Sequence, residues 1–462
     1  MRAMLLLIAS CFVWQQATAS NRQWYTLTID GKRVGYAWHD HDSQTDSEVT
    51  RVDVEELRQR VTVGTHVDVI RSSSGLPQRI YAESGTGLAR DHWQGTFSAD
   101  ARTITATNSM SAEAQTFSVA PDLVLPDRLI EVLGPLWRHE RHEIDFQYLD
   151  DTVGLPVRMH AEQLSSPDPR VTAIQLRAVV GTSIHNEVIS LGEGGQVIHR
   201  ERKFYGATLV WDRCLSDCDS RINDPFDVMS RLVVQSPYRI PKSAFAGPIR
   251  YILSRVDGAA PQIPPTGEQS VVVDGSSAIL TVCTMCGVAE QLTESERRRY
   301  LQPNAWVQSD LPEIKSFANR HGQGQTQNEI MNSLVNAVRN HMSGPVDYLG
   351  YASAAEALRR RSGDCTEFAV LLAALARARD IPARVAYGLV YADRFSGKKD
   401  VFSPHEWVQV WTGERWKSYD AGIGEFDATH LALSLGDGDP RGVQTGFATP
   451  ADLRIETLGR VH

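Results

Sequence analysis

From Trp24 to about Tyr205 the chain alternates apolar and polar residues with a period of two, the pattern of strands buried on one face. The clearest run is Tyr25-Thr26-Leu27-Thr28-Ile29, then Asp30-Gly31, then Lys32-Arg33-Val34-Gly35-Tyr36. Asp-Gly between alternating runs predicts a hairpin with a two-residue turn. That turn pairs Tyr25 with Tyr36 and Leu27 with Val34, and puts all four on one face. Similar alternation recurs over Val61–Ile70, around Ile80 and Ile104, and over Val197–Phe204, while Leu123–Trp137 reads as a helical interruption. These runs predict a large antiparallel sheet or half-barrel over residues 20–205.

Residues 206–290 hold two close cysteine pairs and the Pro/Gly-rich stretch Ala259–Gly267, and are expected to be a connector with a few strands, including Ile279–Val282. From Leu292 the period turns helical. Ile330, Leu334, Val338 and His341 fall on one face. Thr326 with Glu329, and Ser353 with Glu356, have the spacing of capping boxes. The expected fold class is α+β: an antiparallel β domain, then a second domain over 291–440, then a tail over 441–462.

Composition narrows the function. At 462 residues, 42% hydrophobic and 22% charged, the chain is long enough for two or three globular domains. A net charge of -9 without long runs of one sign argues against nucleic acid as a partner. Residues 1–19 have the form of a secretory signal peptide: Arg2, the apolar stretch Met4–Trp14, and small residues at Ala17-Thr18-Ala19. A rival reading makes Cys11 a lipid-bearing residue. No other segment is apolar enough to span a membrane, so a periplasmic or secreted location is expected. In an oxidising compartment Cys214, Cys218, Cys283 and Cys286 are expected to form disulfides, with three pairings open. Their alternative is a four-thiolate zinc site. Cys365 is left over as a candidate reactive thiol.

Gly363-Asp364-Cys365-Thr366-Glu367 opens an apolar helical run carrying Phe368, Leu371, Leu372 and Leu375. Asp364 and Glu367 have capping-box spacing, so Cys365 is expected at the first position of a buried helix. There, unpaired N–H groups and the helix dipole favour a thiolate. A buried structural cysteine is the alternative. Farther on, Ser403-Pro404-His405-Glu406-Trp407-Val408-Gln409-Val410-Trp411 and Trp416-Lys417-Ser418-Tyr419-Asp420 read as two antiparallel strands. A two-residue loop at Thr412-Gly413 sets His405 opposite Asp420. A four-residue loop makes them diagonal neighbours on the same face. The scattered histidines His39, His41, His66, His92, His139 and His142 read as solvated surface.

Gly363-Asp364-Cys365, Ile381-Pro382-Ala383-Arg384, His405-x-Trp407 and Trp416-x-x-x-Asp420 occur in that order over residues of roughly 300–435. That stretch resembles the transglutaminase-like superfamily. The resemblance implies a papain-like fold for this domain and a thiol enzyme, with Cys365 as nucleophile, His405 as base and Asp420 as its orienting acid. It implies acyl transfer from a peptide or protein amide, with hydrolysis by a protease or amidase favoured over amine cross-linking, and no cofactor. Asp380 and Glu406 depart from the family pattern; Glu406 would set a negative charge beside His405. The alternatives are an inactive envelope-binding module and a zinc protein built on the cysteine pairs.

Overall fold

The computed structural model describes residues 22–461 apart from 43, 57–58, 87–88, 109–110, 150–155, 181–182, 205–206, 221, 223–225, 228–230, 290, 345–351 and 440–451. The expected signal segment, Cys11, Tyr348 and Tyr351 lie outside the described residues. Strands are the predominant secondary structure among the described residues.

The first hairpin forms at Asp30-Gly31, where both residues have positive φ (51° and 74°), the geometry that Asp-Gly tolerates. Ile29 faces Lys32 across the turn, but a bulge after Leu27 then shifts the register by one, so that Tyr25 opposes Ala37 and Leu27 opposes Gly35. The expected Tyr25–Tyr36 pairing is therefore displaced. Gly35 is required at the bulge: a Cβ there would lie 1.9 Å from the Arg51 carbonyl oxygen.

From this hairpin grows a sixteen-stranded sheet. Consecutive strands pair antiparallel from Gln23–Ile29 to Ser111–Ser118, and again from Glu143–Leu149 to Ala207–Cys214. The two runs join where Gln23–Ile29 pairs with Ala207–Cys214. The path stays open. Leu129, Leu133 and Leu136, from the interruption after Leu123, fill its concavity against Met159, Ile174 and Leu176. Ala207–Cys214 belongs to this sheet, so the sheet runs past the boundary expected at 205.

The segment expected to be a connector is shared among three sheets. Phe226–Asp227 pairs with Thr45–Glu56 of the large sheet. Val234–Gln235 pairs with Lys398–Trp411. Ile249–Arg255, Gln269–Asp274 and Ser277–Val282 form a four-stranded sheet that is completed by Leu453–Arg460. The expected C-terminal tail thus supplies a strand with two buried side chains, Leu453 and Ile455. The disulfides are local, Cys214–Cys218 and Cys283–Cys286. With all four sulfurs spent in disulfides, the four-thiolate zinc alternative is excluded.

The remaining sheet has five strands, with Lys398–Trp411 and Ala383–Phe395 paired at its centre and His430–Gly436 and Trp416–Tyr419 beside them. Helix Cys365–Arg377 packs on it. Val370, Leu371 and Ala374 are buried in one cluster with Val385, Tyr387, Val408 and Val410. Helices Pro312–His321 and Gln327–His341 cover that cluster through Ile314, Leu334 and Val338. Thr326–Glu329 and Ser353–Glu356 each form the expected reciprocal capping box.

Candidate active site

The site begins with a helix start. Asp364 Oδ1 accepts from Thr366 N at 2.9 Å, and Glu367 Oε2 accepts from Asp364 N at 2.9 Å. Each side chain satisfies a donor the helix cannot. Glu367 also takes Ala352 N at 2.7 Å, which ties the preceding segment to the helix. Gly363 makes room for this box: a Cβ there would stand 2.5 Å from Glu367 Cβ. Cys365 is the first helical residue, half-buried, and the free cysteine among the described residues.

The base comes from the neighbouring strand. Trp411 opposes Trp416 across a four-residue loop, and Val408 opposes Tyr419. Continued one step, that register sets Asp420 beside Trp407 and diagonal to His405 on one face, the second of the two expected arrangements. His405 Nε2 lies 2.5 Å from Asp420 Oδ2. The other carboxylate oxygen, Oδ1, accepts from Gly422 N at 2.7 Å and Ile423 N at 3.1 Å. The Trp407 ring stacks near His405 at 6.2 Å between centroids, and its indole N–H donates to Ser418 Oγ at 3.1 Å. Ser418 N donates to both oxygens of Glu268 at 3.0 Å, so the strand carrying Asp420 is fastened from behind.

The cysteine and the histidine meet through two contacts. The backbone N–H of Glu406, the residue after His405, lies on the side of the Cys365 sulfur and favours its charged form. Gly422 fills the space between the side chains: a Cβ on it would lie 3.3 Å from Asp420 Oδ1, 3.4 Å from His405 Cε1 and 3.9 Å from Cys365 Cα. The three residues singled out from sequence therefore converge on one glycine.

The electrostatics differ from those expected of a bare helix start. Burial pushes the Cys365 thiol up, and the negative charge of the neighbouring Asp364 adds to it. The resting sulfur is a neutral thiol. Burial likewise pushes Glu367 up to about 8, with Asp364 adding to the effect, and pushes Glu406 well above the usual carboxylate range. Glu406 does not set a charge beside the imidazole. Adjacent strand residues face opposite ways. Glu406 opposes Tyr387 on the face toward the helix, and both its oxygens are buried without a hydrogen-bond partner among the described residues.

Two neighbours had no signature in the sequence. Gly422 matters only because of what surrounds it. His430 opens the strand His430–Gly436 and is fully buried, with Nε2 3.1 Å from Asp420 Oδ2 and Nδ1 3.2 Å from Asp427 Oδ1. No diagnostic spacing links it to His405. Asp420 is held well below the usual carboxylate range: burial opposes its charge, but His405 and His430 outweigh that. His405, Asp420 and His430 offer donor atoms within 4.8 Å of one another. In this structure those atoms are hydrogen-bonded to one another through Asp420 Oδ2.

Comparison with known proteins agrees with the C-terminal part of this description. Residues 315–421 match the core of the Transglutaminase-like superfamily. None of the curated proteins matches the chain. Among solved structures, a β-barrel-like protein of a domain of unknown function from Brucella abortus aligns over 42% of this chain and 95% of its own, at 10% identity and a TM-score of 0.33. A candidate cysteine protease from Cytophaga hutchinsonii aligns over 47% of this chain and 84% of its own, at 16% identity and a TM-score of 0.29. A candidate protease from Parabacteroides distasonis aligns over 78% and 68%, at 10% identity and a TM-score of 0.19. Scores below 0.5 do not establish a shared fold. What is established rests on the family match: residues 315–421 of this chain form a domain of the transglutaminase-like superfamily.

Proposed function

We propose that the protein is an exported thiol enzyme that cleaves amide or peptide bonds through Cys365, His405 and Asp420, on an α+β, papain-like catalytic domain. One observation carries the reading: a free, half-buried cysteine at a helix start lies across Gly422 from a histidine whose ring is held at 2.5 Å by a buried carboxylate. The two local disulfides fit an oxidising compartment.

The mechanism follows from a neutral resting thiol. His405 takes the Cys365 proton as the sulfur attacks the amide carbonyl. Asp420 fixes the ring and stabilises the imidazolium that forms. Thr366 N is taken by Asp364, which leaves Cys365 N as the helix-start donor for the oxyanion. The C–N bond breaks as the imidazolium returns its proton to the leaving amine, and an S-acyl enzyme remains. Water, deprotonated by the same imidazole, releases the acid and restores the thiol. An amine in place of water would give cross-linking; hydrolysis is the favoured outcome.

The test is intact-mass capture of an acyl adduct on Cys365 from a panel of peptide and glutamine substrates, together with iodoacetamide labelling. Native Cys365 should alkylate at neutral pH, and His405→Ala should slow alkylation at least tenfold. The acidic surroundings of the thiol favour a second reading, an inactive binding module. A thiol in the folded protein that resists alkylation and gives no adduct would select it.

A further inference from the structure

Asp420 accepts four hydrogen bonds, and two of them converge on one oxygen. His405 Nε2 stands 2.5 Å from Oδ2 and His430 Nε2 stands 3.1 Å from the same atom. On its far side His430 Nδ1 stands 3.2 Å from Asp427 Oδ1 and equally 3.2 Å from the carbonyl oxygen and the backbone N of the same residue, and Oδ1 is fixed by Thr429 N at 2.8 Å and Thr429 Oγ1 at 2.5 Å. The charged groups around His430 are Asp420, Asp427 and, from the turn before Gln269–Asp274, Glu268. His405 faces Asp420 and His430, with Cys365 across Gly422. Phe426 and Trp407 pack against the His430 ring, at 4.9 and 5.2 Å between centroids.

We propose that His430 is a positioning residue for the candidate site: an imidazolium clamped between Asp420 and Asp427 that locks the carboxylate in place and, by sharing its Oδ2, sets the pH at which His405 can accept the thiol proton. This rests on the reading of Cys365, His405 and Asp420 as the reacting unit. Charge bookkeeping favours it. Two buried carboxylates and one imidazolium leave a single net negative charge. The imidazolium that His405 becomes during the reaction brings that charge to zero. With His430 neutral, two negative charges would face the reacting unit. Burial opposes a charge on His430, yet the bonds and charges of Asp420 and Asp427 prevail and push it up to about 9. Its ring centroid lies 5.9 Å from that of His405. At an effective dielectric near 20, unit charges at that separation move a titration by roughly two pH units.

The experiment is the pH profile of iodoacetamide alkylation of Cys365 in the full chain, wild type against His430→Gln. The amide keeps a donor toward Asp420 and removes the charge. The midpoint of the rising limb should move up by one to two pH units, so that alkylation at pH 6 falls by at least tenfold while the plateau at high pH changes little. A folded His430→Gln protein with a lower melting temperature and an unmoved midpoint would reduce His430 to a structural residue and overturn the inference. If the variant does not fold, long-range 1H–15N spectra of the wild type decide. Both His430 nitrogens should be protonated at pH 7.5; a neutral tautomer there would overturn the inference. Failure of the site reading looks different, since Cys365 would then resist alkylation in the wild type as well.

Discussion

Gly422 shows how a single residue can be indispensable without touching the chemistry. Its missing side chain leaves open the space bounded by Asp420 Oδ1, His405 Cε1 and Cys365 Cα. Gly422→Val would place two methyl groups there. Alkylation of Cys365 should fall by at least tenfold while the melting temperature shifts by only a few degrees, because Gly422 and Ile423 are exposed. An unchanged rate would mean that substrate approaches from another side. Glu406 is the opposite case: its carboxyl has no hydrogen-bond partner among the described residues, and an unpaired buried polar group costs about 1–3 kcal/mol. Cys365, His405 and Asp420 were legible because helix capping and strand alternation are local rules. Gly422, Glu406 and His430 were not, because what each does depends on neighbours brought from elsewhere in the chain.

At the scale of elements, the strand leading to Asp420 is fastened by Glu268. Burial pushes this carboxyl up to about 7, only partly offset by the bond from Ser418. A carboxyl whose value is raised on folding binds a proton more tightly in the native state. Stability from it is therefore full below the unfolded value, near 4.5, and is lost as pH rises toward about 7. A shift of that size corresponds to a loss of roughly 3 kcal/mol. Glu367, pushed up to about 8, acts in the same direction. Glu268→Gln keeps an acceptor for Ser418 N and removes the titration, so its unfolding free energy, measured in urea between pH 5 and 8, should fall less steeply than that of the wild type. Parallel slopes would show that Glu268 does not titrate in this window. The helix elements were predicted well, since Thr326–Glu329, Ser353–Glu356 and Asp364–Glu367 announce their starts within four residues. The short strands Phe226–Asp227 and Val234–Gln235 carry no such signal; two residues have no period, and only their distant partners define them.

Across the whole molecule, the order of the sheets departs from the order of the chain. A connector is expected at 206–290, where two cysteine pairs and a Pro/Gly-rich stretch interrupt the pattern, and a tail at 441–462. Instead the two segments meet, with Leu453–Arg460 lying against Ile249–Arg255 over Tyr251 and Leu253. Removing residues 453–462 would uncover that core and lose the burial of Leu453 and Ile455. Each such side chain is worth roughly 1.5–3 kcal/mol, so the truncated chain should unfold at least 3 kcal/mol more easily in urea. A midpoint close to that of the full chain would show that the strand is dispensable.

That late-closing strand also bears on timing. A chain emerging from its amino end presents Cys365 before His405, Asp420 and His430, and the sheet that begins just after Glu268 is completed only when Leu453–Arg460 arrives. On the proposed reading, the sulfur has no base to relieve it of its proton until His405 emerges, and a chain halted before that point would be chemically silent.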